Sequence, residues 1–185
     1  MVRKRLGQLM ALTMLPGTVM PGAWAQTTEA VSPAPSPIEG VWRTQLLSEV
    51  TIAACPEGFC GALSHIVVPA GLLSGAEAEA AAAITPDQFF DYRNEDPALR
   101  NRPMLGLQIL TLRRGDKPDV FDGEIYNPED GKTYSGYLEM RGPDTVRLNG
   151  CVLFNAICRG EDWTRVPAEE LAARAEAEAA QATPQ

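Results

Sequence analysis

The sequence predicts an all-β fold, a small up-and-down antiparallel barrel of about eight strands, with a partly helical insertion after the third strand and a C-terminal helix. Three observations predict it. Side chains alternate between apolar and polar over residues 120–150, turn-forming residues separate the alternating runs at short spacing, and two cysteine pairs are each spaced to face one another across a hairpin.

The chain opens with Arg3, Lys4 and Arg5, a mostly apolar run over residues 9–20, and Ala23-Trp24-Ala25 before Gln26. This is the pattern of a secretory signal peptide over residues 1–25, cleaved between Ala25 and Gln26. The apolar run is broken by Pro16 and Gly17 and falls short of the roughly 20 residues that span a bilayer, so no stable membrane anchor is expected after cleavage. Losing three cations takes the formal net charge from −8 to −11, which repels phosphate backbones and excludes nucleic acid as a partner. Residues 26–37, QTTEAVSPAPSP, read as an extended proline-rich linker, leaving residues 38–167 as one domain.

Within that domain, runs near 40–46, 48–55, 60–68, 104–113 and 157–166 read as strands. Phe121, Gly123 and Ile125 alternate with Asp122, Glu124 and Tyr126. Tyr134, Gly136, Leu138 and Met140 alternate with Thr133, Ser135, Tyr137 and Glu139, and Val146 and Leu148 continue the apolar face. Between the Phe121–Tyr126 and Thr133–Met140 runs, Pro128 suits the second position of a turn and Gly131 a positive φ, so "GEIYNPEDGKTY" (residues 123–134) reads as a hairpin rather than a catalytic loop. The insertion, about 70–103, opens with the Ala- and Glu-rich segment 75–84, expected to be a short surface helix. Residues 168–185 read as a helical or disordered tail in which Leu171 is the one large apolar side chain, so the helix has almost no face to bury.

Four cysteines in an exported chain imply disulfides. In an up-and-down barrel the turn at "CPEGFC" and the last turn, "CVLFNAIC", lie at opposite ends, so the expected bridges are local, Cys55–Cys60 and Cys151–Cys158. A tetrathiolate zinc site needs closer spacing than the second pair offers, and no metal is expected.

Several stretches together resemble the bacterial family called domain of unknown function 2147. They are Gly40-Val41-Trp42, Cys60-Gly61, "NRPMLGLQIL" from Asn101, the G-x-IY-x-P-x-x-GKTY core of residues 123–134, Gly150-Cys151 and "DWTRV" from Asp162. The resemblance covers roughly residues 38–167. It implies a secreted, periplasmic, lipocalin-like barrel with no established activity. Gly40-x-Trp42 is also similar to the opening motif of lipocalins, in which an arginine of the last strand lies over the tryptophan; that implies a structural role for Gly40, Trp42 and Arg165, with Arg159 as the alternative arginine. The long insertion and the two local disulfides depart from ordinary lipocalins.

The chain has one histidine, His65, in a strand, and neither a nucleophile–base pair nor a phosphate loop, so no catalytic residue and no cofactor is expected. The leading expectation is a small-molecule or lipid-like ligand, partly apolar, held between the inner sheet face and the insertion. Tyr134, Leu138, Met140, Phe121 and Ile125, with Val146 and Leu148, would line the site, and Arg100 and Arg102 would contact the ligand from the insertion. The alternatives are an envelope accessory or interaction protein with a filled core, and a hydrolase built on carboxylates such as Asp87, Asp91, Glu95 and Asp96. The oligomeric state has no signature in the sequence.

Overall fold

The alternating strands form a closed sheet in the computed structural model. It describes residues 34–67, 74–76, 79, 84–153 and 156–182. The signal segment, the cleavage point, most of the linker and most of the 75–84 helix therefore lie outside the described residues.

Within the unit Pro35–Gln185, eight strands form a closed antiparallel barrel in sequence order. They are β1 (Gly40–Arg43), β2 (Glu49–Cys55), β3 (Gly58–His65) and β4 (Gln108–Arg114), followed by β5 (Val120–Asn127), β6 (Lys132–Gly142), β7 (Thr145–Val152) and β8 (Ile157–Arg165). The first strand stops at Arg43 because residues 44–48 form a hairpin loop, with the Thr44 amide donating to Ser48 and the Leu47 amide to Thr44. Two pairs close the seam, Trp42 with Arg165 and Arg43 with Thr164. Between β3 and β4 the described part of the insertion carries two 3-10 turns, Pro86–Gln88 and Pro97–Leu99.

Up-and-down winding sorts the loops by end. The β2–β3, β4–β5 and β6–β7 turns share one end with the chain entering β1. The β1–β2 loop, the insertion, the β5–β6 turn and the β7–β8 turn share the other. Both disulfides are local: Cys55–Cys60 at the first end and Cys151–Cys158, with Cα atoms 4.0 Å apart, at the second.

The first end is solid. Trp42 is fully buried and its indole N–H donates to the Ile38 carbonyl at 2.8 Å. Arg165 lies 4.1 Å from the Trp42 ring centroid, and its guanidinium donates to the Glu39, Pro37 and Pro143 carbonyls. That stack contributes about 1 kcal/mol at a partly exposed site. Gly40 is required beneath it, because a Cβ there would collide with Arg165 Nη1 and its φ is +136°. Phe59 and Phe121 meet edge to face at 5.3 Å, with Arg114 over both rings.

The expected C-terminal helix is present as α1 (Ala168–Ala182), and it is tied to the barrel although it has little apolar face to bury. Its attachment is electrostatic. Glu49, on the outer face of β2 and 3 % exposed, accepts Arg43 from β1 at 2.8 Å and Arg174 from α1 at 2.9 Å, while Glu170 also takes Arg43. Burial opposes the Glu49 charge, but the hydrogen bonds from Arg43 and Arg174 outweigh it and hold its pKa below the ordinary value. Beyond Arg174 the helix is exposed.

Candidate ligand-binding cavity

Inward-facing side chains fill the barrel unevenly. On β5 to β8 the closed end is filled by two paired sets, Phe121 beside Leu138 and Val146 beside Trp163. One or two rungs higher stand Gly136, whose missing side chain is replaced by that of Ile125, and Gly150, where a Cβ would meet no atom within 4 Å and a space opens. It is a cavity of about 1070 Å³ opening at the second end of the barrel, at the upper limit of pockets that take small molecules. Leu63, Ile109, Ile125, Leu148 and Trp163 supply its apolar lining. Phe89 and Met104 of the insertion, the β1–β2 loop and residues 127–130 form its upper wall, with Tyr134, Arg159 and Glu161 among the polar groups.

One buried network fixes the insertion as a wall. Asp91, 1 % exposed, accepts the Tyr126 hydroxyl at 2.5 Å, the Asn94 amide at 2.9 Å and Arg102 Nε at 2.8 Å. The Arg102 guanidinium also lies 5.0 Å from the Tyr126 ring centroid. Burial disfavours the Asp91 charge, yet the hydrogen bonds from Tyr126, Asn94 and Arg102 prevail and its pKa falls below the usual carboxylate value. Tyr126 moves upward through burial and its bond to Asp91. Since Tyr126 itself lines the cavity, this network ties the insertion to the barrel at the binding wall.

The β5–β6 hairpin is the second attachment. Arg93 donates to the Glu129 carbonyl, and the Glu95 amide to the Gly131 carbonyl at 3.4 Å. At Gly131, φ is +74° and a Cβ would run into the Arg93 carbonyl. "GEIYNPEDGKTY" is thus a hairpin that also serves as the insertion's docking platform. Pro128 lies in the cavity wall, and Asp130 caps the Lys132 amide and accepts the Tyr134 hydroxyl, raising the Tyr134 pKa.

Of the residues expected to line the interior, Ile125, Tyr134 and Leu148 do so. Phe121, Leu138 and Val146 are packed in the closed end, with Met140 against them. Arg100 donates to the Asn94 carbonyl at 2.7 Å and Arg102 to Asp91, so both brace the insertion and neither lines the cavity. His65 is exposed at the end of β3, outside the lining. Asp87, Glu95 and Asp96 are exposed, and Asp91 faces donors rather than another carboxylate. Among the described residues Cys55, Glu57 and Cys60 cluster at metal-ligand distance, but both sulfurs are joined in a disulfide and offer no thiolate.

Sequence reasoning missed Arg159 and Glu161 as lining residues. The signal was present: Ile157, Arg159, Glu161 and Trp163 alternate on β8 and so share the inner face. Among the described residues no helix is long and apolar enough to cross a membrane.

The family described as "Uncharacterized protein conserved in bacteria (DUF2147)" matches residues 40–165. No curated protein matches the chain. A solved structure, described as "Protein HP1028 from the human pathogen Helicobacter pylori belongs to the lipocalin family", is similar with a TM-score of 0.55 at 21 % identity, covering 72 % of this chain and 85 % of that one. At that identity the likeness establishes the fold, a lipocalin-like barrel.

Proposed function

We propose that this chain, which belongs to the DUF2147 family of bacterial proteins, is an exported binding protein that holds one small, partly apolar molecule in the mouth of its barrel. The observation that carries the reading is the cavity, whose floor is built from Leu63, Ile109, Ile125, Leu148 and Trp163 and whose opening is at one end. An apolar floor with a few polar groups above it favours a molecule with one greasy end and one wet end. Two disulfides and the signal-like N-terminus support a periplasmic or secreted setting.

The ring of exposed apolar side chains at the mouth, Leu47, Tyr92 and Leu153 among them, favours a second reading, an accessory protein that docks by that end. Native mass spectrometry of the protein isolated from a periplasmic extract separates the two. A reproducible adduct that is lost on denaturation is the expected result. A bare protein mass, with no uptake of added fatty acid or alcohol, would leave the docking role.

A further inference from the structure

We infer that the ligand is a single-chain amphiphile with an anionic head group, and that Arg159 is the residue that holds the head. The inference rests on the binding reading above and adds the chemistry of the ligand to it.

Arg159 stands apart among the described arginines. Each of the others is committed to the protein: Arg43 and Arg174 to Glu49, Arg102 to Asp91, Arg147 to Asp162, Arg141 to Glu139, and Arg93, Arg100, Arg113, Arg114 and Arg165 to carbonyl, hydroxyl or ring acceptors. The Arg159 guanidinium has no hydrogen bond, ion pair or ring contact with the described protein, and it lines the cavity. A guanidinium is a rigid fork of donors that fits a carboxylate or phosphate in bidentate fashion.

Its surroundings leave room for such a group. Arg159 pairs across the ladder with Gly150, which pairs with Gly136. A Cβ added at Gly150 would meet no atom within 4 Å. On the other side, the β1 ladder with β8 is confined to Trp42 and Arg43, so no β1 residue pairs with Arg159.

Three carboxylates also reach the cavity, and two of them already have donors. Glu161, two residues along the same strand face, accepts the Trp163 indole N–H. Asp130 takes the Lys132 amide and the Tyr134 hydroxyl. Glu129 is exposed at the rim. Thus the one fork-shaped donor set in the cavity that no described protein group engages is exposed at the mouth, above an apolar floor of Ile125, Leu148 and Trp163, which puts the head at Arg159 and the tail below it.

The test uses the exported protein stripped of bound ligand, titrated with dodecanoate, dodecyl phosphate, dodecanol and dodecyltrimethylammonium, with Trp163 fluorescence and calorimetry as readouts. One or both anions should bind roughly tenfold or more tightly than the alcohol, the size of a charge-assisted pair, and whichever anion binds better identifies the head group. R159Q should abolish that preference with an unchanged thermal midpoint, and R159K should restore part of it. G150L, which extends into open space, should weaken all four probes alike. Equal binding of anions and alcohol, tightest binding of the quaternary ammonium, or an unchanged preference in R159Q would overturn the anionic-head inference while leaving the cavity as a binding site. No binding by any probe would overturn both readings.

Discussion

The two ends of the barrel obey different rules. At the closed end every inward position is filled, Trp42, Phe59 and Phe121 are buried, and the positive-φ residues are glycines, Gly40 and Gly58. At the open end the ladder carries Gly150 where a side chain could have extended into the interior. There the loops hold Leu47 and Leu153 at φ +68° and +52°, a conformation that disfavours a branched apolar side chain. Every exposed large hydrophobic residue among those described lies at this end, from Leu46 in the β1–β2 loop to Ile157 at the start of β8. One end is arranged for stability and the other tolerates strain and exposure, the division expected when a rigid scaffold presents a binding mouth.

The largest expected effect tests the closed end. Trp42→Ala removes a fully buried indole and the ring on which Arg165 stacks, and should cost about 3–5 kcal/mol; chemical denaturation should report it as a loss shared by the whole barrel. If only the closed end loosened, the two halves would be separate cooperative units.

Asp91→Asn should cost less, about 2–3 kcal/mol, because Arg102 is partly solvated once its partner is gone. Its signature is local: hydrogen exchange should accelerate over residues 84–107 with the closed end unaffected. The pH dependence follows from the sign of the shift. Asp91 has a lowered pKa in the folded protein, so its contribution is complete above about pH 4 and fades as pH falls through the folded value. The variant should lose that acid sensitivity, and Glu49→Gln should lose the corresponding sensitivity at the helix dock.

Replacing Cys151 and Cys158 with serine should cost about 2 kcal/mol in the loop-entropy account and should loosen the β7–β8 turn at the mouth. Removing residues 168–185 should cost the least, about 1 kcal/mol, since Glu49 retains Arg43 and gains water. A cooperative collapse after that truncation would show that the charge dock supports the barrel itself.

Much of this contrast was hidden in the sequence for a physical reason. The strands, the hairpin at Pro128 and Gly131, and the paired cysteines were legible because each is decided by neighbours a few residues apart. Two of the three partners of Asp91 lie 11 and 35 residues away, and those of Glu49 include one at 125, so these acids look like members of any solvated polar run. Arg102 read as a ligand contact for the same reason: its charge was visible and its partner was not. Cavity size is subtler still, because it depends on which inward positions lack a side chain without a neighbour taking the room, as Gly150 does and Gly136, covered by Ile125, does not.

The two-pair seam between β1 and β8 has a kinetic consequence. Seven of the eight ladders join strands adjacent in sequence and can zip from their own turns, whereas Trp42 meets Arg165 only after the entire domain has been laid out between them. A chain synthesised N-terminus first carries β1 with one edge unpaired until its last strand emerges. Closure of the circle is therefore the late event of folding, and the stacked Trp42 and Arg165 act as the clasp that ends it.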